Sequence, residues 1–164
     1  LALDESIALN TVAVSLKKIF PRFFISNKKI KEIALDYKKQ LRIATTSVNK
    51  ACKYLSGGNQ QKVVLAKWLS FDPDILIFDD PTRGIDVAAK MEIYGLMDKL
   101  AVQGKAIIMI SSELPEVIGM SDRIYIMHEG KIVDEVKRGT EEFNSEAIGA
   151  RMMLGAGGAD DGEG

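Results

Sequence analysis

Leu55–Lys62 reads LSGGNQQK and Ile75–Asp86 reads ILIFDDPTRGID, and these two stretches decide the fold. In the first, Ser56, Gly57, Gly58 and Asn59 precede apolar positions at Val63, Val64, Ala66, Trp68 and Leu69, a spacing that predicts a helix with one buried stripe. Glycines let a phosphate approach the backbone closely, and the free amides of a first helical turn point at it. Ser56 stands at an N-cap-like position with a hydroxyl to donate. A plain Ser-Gly-Gly helix entry with no ligand fits these four residues too. The second stretch is an apolar run, Ile75 to Phe78, closed by Asp79-Asp80-Pro81. Such a run suits a strand buried on both faces of a parallel sheet. Ligands of open α/β sheets bind beyond the carboxyl ends of strands, where Asp79 and Asp80 would lie. Two adjacent carboxylates are uncomfortable unless a cation is near. Amides at a helix start for an anion, with a carboxylate at a strand end for magnesium and water, are what phosphate chemistry requires.

In this order and at this spacing, the two stretches resemble the signature motif and the Walker B strand plus D-loop of an ABC transporter nucleotide-binding domain. NQQKVVLAKWL, PTRGIDVAAK and ISSELPEVIGMSDRI resemble, more narrowly, the C-terminal ATPase domain of the duplicated ATP-binding subunits of bacterial monosaccharide importers. The likeness holds from about Tyr54 to Val133 and fades after about Gly139. It implies the following roles. Ser56, Gly57 and Gly58 hold the γ-phosphate of ATP bound on an opposite domain, with Asn59 and Gln60 beginning the supporting helix. Asp79 orients Mg2+ through its water shell, Asp80 stands at the catalytic-base position, Asp86 lies in the D-loop across a dimer interface, and Ser112 occupies the place of the switch histidine. The implied partners are a second ABC ATPase domain, membrane-spanning permease subunits and, indirectly, a sugar-binding protein. The implied location is the cytoplasmic face of the plasma membrane, as a peripheral subunit.

The pattern G-x-x-x-x-G-K-[ST], which would cradle nucleotide phosphates, occurs nowhere in the 164 residues. The Gly-rich stretch Gly155 to Gly158 has no following Lys. The expectation is therefore a partial ATPase core, inactive by itself, whose Leu1 to Thr11 matches the family segment just past the glutamine-containing loop. Three positions depart from the active pattern. Asp80 stands where Glu is usual, and its carboxylate is one methylene shorter; a misplacement of about an ångström can lower a rate about a hundredfold. Ser112 replaces His, and Asn59 replaces Gln. An asymmetric pair of nucleotide sites follows: the one completed by Ser56, Gly57 and Gly58 works, and the one containing Asp79, Asp80 and Ser112 is slow.

Composition sets the bounds. Apolar residues make up 46% of the chain, as in ordinary globular proteins. No apolar run reaches membrane-spanning length, and a single cysteine, Cys52, excludes an internal disulfide. Residues 1 to 55 carry eleven Lys or Arg against four Asp or Glu, and the remainder carries eleven against nineteen. The Lys28-Lys29-Ile30-Lys31 run reads as a solvated helix face rather than a nucleic-acid surface, since no aromatic residues interleave with it. His128 reads as a surface turn residue.

The expected fold class is α/β: a partial P-loop-type ABC ATPase core with a mainly parallel sheet and helices, preceded by a helical subdomain and followed by a disordered tail. Residues 1–54 are the helical subdomain, broken at Phe20-Pro21, with Phe20, Phe23 and Phe24 as a core cluster or a docking surface for permease loops. Residues 55–139 are the core: a helix after the signature, a strand, a helix from Val87 to Gln103, a strand from Ala106 to Ile110, a short helix from Pro115 to Met120, and a hairpin about Glu129-Gly130 forming an antiparallel edge. Residues 140–154 are a C-terminal helix and 155–164 a disordered Gly- and acid-rich tail.

Alternatives remain in view. These are a non-catalytic module that supplies only a signature face, an importer of nucleosides or other small polar solutes, a nucleic-acid-acting ABC protein, and an unrelated metal-dependent phosphohydrolase using Asp79 and Asp80 with Glu113.

Overall fold

The structure is a computed structural model and describes residues 1–21 and 25–157, with the side chains of residues 154–157 left aside. Phe23 and Phe24 lie outside the described residues, as do the last seven residues of the expected tail. The chain forms two compact units: residues 1–77 with 81–108, and residues 78–80 with 109 onward.

In the first unit, helices α1 (Ile7–Val12), α2 (Leu16–Ile19) and α3 (Asn27–Gln40) precede a 3₁₀ turn at Cys52–Tyr54 and helix α4 (Gly57–Leu69). Ser6 and Ser26 cap α1 and α3 by accepting from the Leu9 and Lys29 amides. Helix α1 packs on both α3 and α4, so the signature helix belongs with the helical zone rather than beginning a separate body after residue 54. Ile7, Val12, Ile30, Ala34, Val48, Val63 and Ala66 are buried in this unit. Buried Asn10 ties the start of the chain down: its amide donates to the Ala2, Glu5 and Ser6 carbonyls while its Oδ1 accepts from the Ala2 amide. Lys28, Lys29 and Lys31 are exposed along α3, as a solvated face would have them.

The buried stripe of α4 is Val63, Leu65 and Ala66; Trp68, expected within it, is 51% exposed. The helix turns Trp68 outward, where the Lys67 ammonium lies 5.1 Å from its ring centre.

Strand β1 (Ile75–Asp79), helix α5 (Val87–Val102) and strand β2 (Ala106–Ile110) form a β-α-β unit, and β1 pairs with β2. The Ala106 amide bonds the Asp74 carbonyl at one end and the Asp80 amide bonds the Ile110 carbonyl at the other, both at 2.9 Å, which fixes a parallel pair. Gly104, at φ +86°, ends α5 and turns the chain into β2. The expectation that β1 is buried on both faces fails. Leu76 and Phe78 are buried, but Ile75 and Ile77 are 61% and 66% exposed, because the described residues cover only one side of the pair.

The second unit holds the ends of these strands, helix α6 (Leu114–Met120), the hairpin β3 (Arg123–His128) and β4 (Lys131–Lys137), and helix α7 (Ser145–Gly157). His128 closes β3 opposite Lys131, and Glu129 and Gly130 make the turn with φ of +47° and +77°, the double positive φ of a type I′ hairpin. The hairpin is not an antiparallel edge on the β1–β2 sheet. It forms a separate two-stranded sheet, with an irregularity after Ile126, whose apolar face is covered by a helix. Ile124, Ile126 and Val136 pack there with Ile148 of α7, flanked by Leu114, Val117, Ile118 and Phe143. Helix α7 begins at Ser145, where Asn144 accepts from the Ala147 amide, and runs to Gly157, so it starts later and ends later than residues 140–154. Arg138 closes the end of α6: its guanidinium donates to the Ile118, Gly119 and Ser121 carbonyls, satisfying acceptors that a helix leaves without partners.

Ile148 is 1% exposed. Ile148→Ala should destabilise the second unit by about 2–5 kcal/mol, read as a fall in the urea midpoint of a chain with an unchanged m-value.

Candidate functional site

The tip of α4 forms the site in the first unit. Ser56 takes an extended conformation (φ −63°, ψ 158°) at the N-cap position, yet its side chain caps nothing, contrary to the usual use of serine there. Its Oγ accepts instead from the Asn59 amide at 2.9 Å, which leaves the hydroxyl proton to donate elsewhere. The other end of the Asn59 amide accepts from the Ala44 backbone at 2.7 Å. Gln60 donates to the Cys52 and Leu55 carbonyls at 3.3 and 3.1 Å, so it braces the turn and is not directed at a ligand. The first-turn amides of α4 thus remain uncapped, at the positive end of a 13-residue helix.

Neither Gly57 nor Gly58 has a positive φ, so the backbone does not demand glycine at either position. A Cβ on Gly57 would meet nothing within 4 Å, and one on Gly58 would touch only the Ala89 Cβ at 3.8 Å. Packing does not demand glycine either. The open approach that results is suited to an anion arriving from outside the chain.

Asp86 faces the same opening. Its Oδ1 caps α5 by accepting from the Ala89 amide at 2.9 Å. A cleft of about 400 Å³ is lined by Ser56, Gly57, Gly58 and Asn59 on one side and by Gly84, Asp86 and Ala89 on the other. Two interactions tie its walls together: Gln61 donates to the Pro81 carbonyl at 3.3 Å, and Lys62 forms a close ion pair with Glu92. Cys52, just behind the tip, is fully buried, and burial pushes its thiol pKa up. It is packing, not chemistry.

The second group of expected site residues lies in the second unit. Asp79 is exposed at the end of β1, on the same strand face as Ile75 and Ile77. Asp80 follows with φ +43°, a left-handed conformation that Asp tolerates better than most side chains. Two hydrogen bonds hold it there: its amide donates to the Ile110 carbonyl, and its Oδ1 accepts from the Ser112 amide at 3.3 Å. The side chain of Ser112 is exposed beside it. Sequence reasoning found Asp80 and Ser112 but not Ser111 of the same loop and Glu116 of α6, which are joined by a close hydrogen bond. A lone Glu at the first turn of a short helix carries no sequence signal.

A family profile described as ABC transporter matches residues 4–83. The ribose import ATP-binding protein RbsA of Bacillus cereus is 48% identical over 158 residues, which cover 96% of this chain and 31% of that protein. A putative ribose/galactose/methyl galactoside import ATP-binding protein of Burkholderia ambifaria is 54% identical over 130 residues, 78% of this chain and 25% of that protein. The chain thus spans about a third or less of the length of these curated relatives. Among solved structures, the ATP-binding cassette MJ1267 in its ADP conformation superposes with a TM-score of 0.72 at 19% identity, covering 96% of this chain and 64% of that one. The cassette MJ0796, solved as a dimer in a post-hydrolysis state with ADP and Pi, gives 0.67 at 26% identity over 85% of this chain and 62% of its own.

Gly57→Ala should leave the chain folded and equally or slightly more stable, by up to about 1 kcal/mol, in a thermal melt, because Ala suits a helix better and meets open space. The glycine tip of α4, the paired carboxylates after β1 and the profile match agree, and the chain belongs to the ABC transporter ATPase family.

Proposed function

We propose that this chain is part of the ATP-binding subunit of an importer, coupling ATP binding and hydrolysis to uptake of a simple sugar. The observation that carries the reading is the open glycine tip of α4, whose amides and Ser56 hydroxyl line a cleft left open by the described residues. Ser56, Gly57 and Gly58 would bind the γ-phosphate of an ATP held by a second ABC ATPase domain. Asp86 would face that domain from the D-loop. The names of the relatives, which are ribose or ribose/galactose/methyl galactoside import proteins, support the class of solute; nucleosides and other small polar solutes are the alternative.

Asp79 would orient Mg2+ through water, and Asp80 would take the position of the base that polarises the attacking water. Among the described residues, no group of three or more His, Cys, Asp or Glu could hold a metal ion. A single carboxylate at a strand end suits a magnesium ion that would arrive on the phosphates and keep much of its water shell. Catalysis would then consist of positioning and charge neutralisation. The pair containing Asp79, Asp80 and Ser112 would serve the slower of two nucleotide sites, since a serine hydroxyl supplies no positive charge and the Asp80 carboxylate is short.

Partners in this reading are permease subunits in the membrane and, through them, a sugar-binding protein, with the subunit peripheral on the cytoplasmic face. No helix among the described residues is long and apolar enough to cross a membrane. Because the sequence has no phosphate-binding loop, the isolated chain acts only as a module that supplies a signature face.

Two measurements test this. Calorimetric titration of the 164-residue chain with magnesium-ATP should give a Kd weaker than about 1 mM; micromolar binding would contradict the division of labour. In a complete subunit, Ser112→His with Asp80→Glu should raise ATP turnover, by up to about twofold as the slow site approaches the working one, and unchanged turnover would remove the case for a slow site.

A further inference from the structure

Glu116 is a carboxylate only 7% exposed, in the first turn of α6. Burying a charge is unfavourable unless it is held by partners. Its Oε2 receives a close hydrogen bond from the Ser111 hydroxyl, and Ser111 Oγ in turn accepts from the Glu113 amide at 3.1 Å. The Glu113 carbonyl accepts from the Glu116 amide at 2.9 Å, so residues 111–116 close into a ring of hydrogen bonds. The next amide along, that of Ser112, donates to Asp80 Oδ1, and the Ile110 carbonyl on the other side of Ser111 accepts from the Asp80 amide. Ser111 is therefore flanked by both groups that hold Asp80 in its left-handed conformation.

We infer that Glu116 is a positioning residue for the Asp80 carboxylate, acting through Ser111 and the Ser112 amide. This rests on the reading of Asp80 as the residue at the catalytic-base position. Without the Glu116 acceptor, Ser111 is free to rotate, the loop after β2 loses its anchor on α6, and the Ser112 amide no longer fixes the angle of the carboxylate. The far end of α6 is clasped by Arg138, so the helix is a rigid post for the loop. Glutamine at 116 keeps an oxygen that accepts from Ser111; leucine fills the space and accepts nothing.

The test is steady-state ATPase kinetics of a complete subunit whose faster site is silenced by Gly57→Val, so that turnover reports the Asp80 site, carrying in addition Glu116→Leu, Glu116→Gln or Ser111→Ala, together with amide hydrogen exchange at Ser112 in the 164-residue chain. Glu116→Leu and Ser111→Ala should lower kcat about tenfold or more with KM for ATP changed less than twofold, and speed exchange at Ser112. Glu116→Gln should retain most of kcat and of the protection. If Glu116→Leu does not fold, Ser111→Ala carries the test alone, since it cuts the same link and keeps the carboxylate. A lowered Tm with unchanged kcat, or a Gln variant as slow as the Leu variant, overturns the inference. Asp80→Asn in the same Gly57→Val background is the control. If it leaves turnover intact, the reading of Asp80 fails; if it abolishes turnover while Glu116→Leu and Ser111→Ala do not, only the role of Glu116 falls.

Discussion

An uncapped helix start is the constraint on which the rest depends. The first turn of α4 has backbone donors with no side chain to satisfy them, although Ser56, a residue well able to cap, stands at the N-cap position. Asn59 draws the Ser56 oxygen away, and Gln60 is turned back toward the preceding turn. Both side chains brace the tip and leave its amides free. Glycine at 57 and 58 then makes sense, because a side chain there would obstruct whatever approaches those amides while giving the fold nothing in return.

The carboxylate side is built differently. Asp80 does not rest in an easy conformation; it turns the chain sharply out of β1 with a positive φ. Its amide and its Oδ1 are fixed by the end of β2 and the loop beyond it. In the proposed reading, the Asp80 carboxylate is thus held by a neighbouring strand end and a loop that the Ser111–Glu116 contact anchors. One site uses open backbone and the other uses a constrained side chain. Each suits its proposed task, since an anion is held by many weak donors and a water is polarised by one well-aimed oxygen.

Local rules of the sequence made much of this legible. The helix end at Gln103, the Glu129-Gly130 turn and the alternation of strand and helix were readable because local residue chemistry imposes those conformations. The signature and the Asp79-Asp80 pair were readable because their order and spacing are specific. Failures came where tertiary context decides. Trp68 satisfies the helical period but faces solvent, since the stripe on α4 is set by where α1 packs. The run Ile75–Phe78 looks buried on both sides, yet the cover lies on one side only. The hairpin follows its turn chemistry but does not join the sheet of the parallel pair. Glu116 and Arg138 escaped notice because each acts through contacts with a loop or a helix end distant in chemistry from any motif.

The most direct measurement is ATP turnover by a complete subunit carrying Gly57→Val, with folding followed by circular dichroism. A Cβ there meets nothing within 4 Å, so the subunit should fold while turnover falls at least about tenfold, because the β-branched side chain would stand where the phosphate would come. Normal turnover by a folded Gly57→Val subunit would contradict the account.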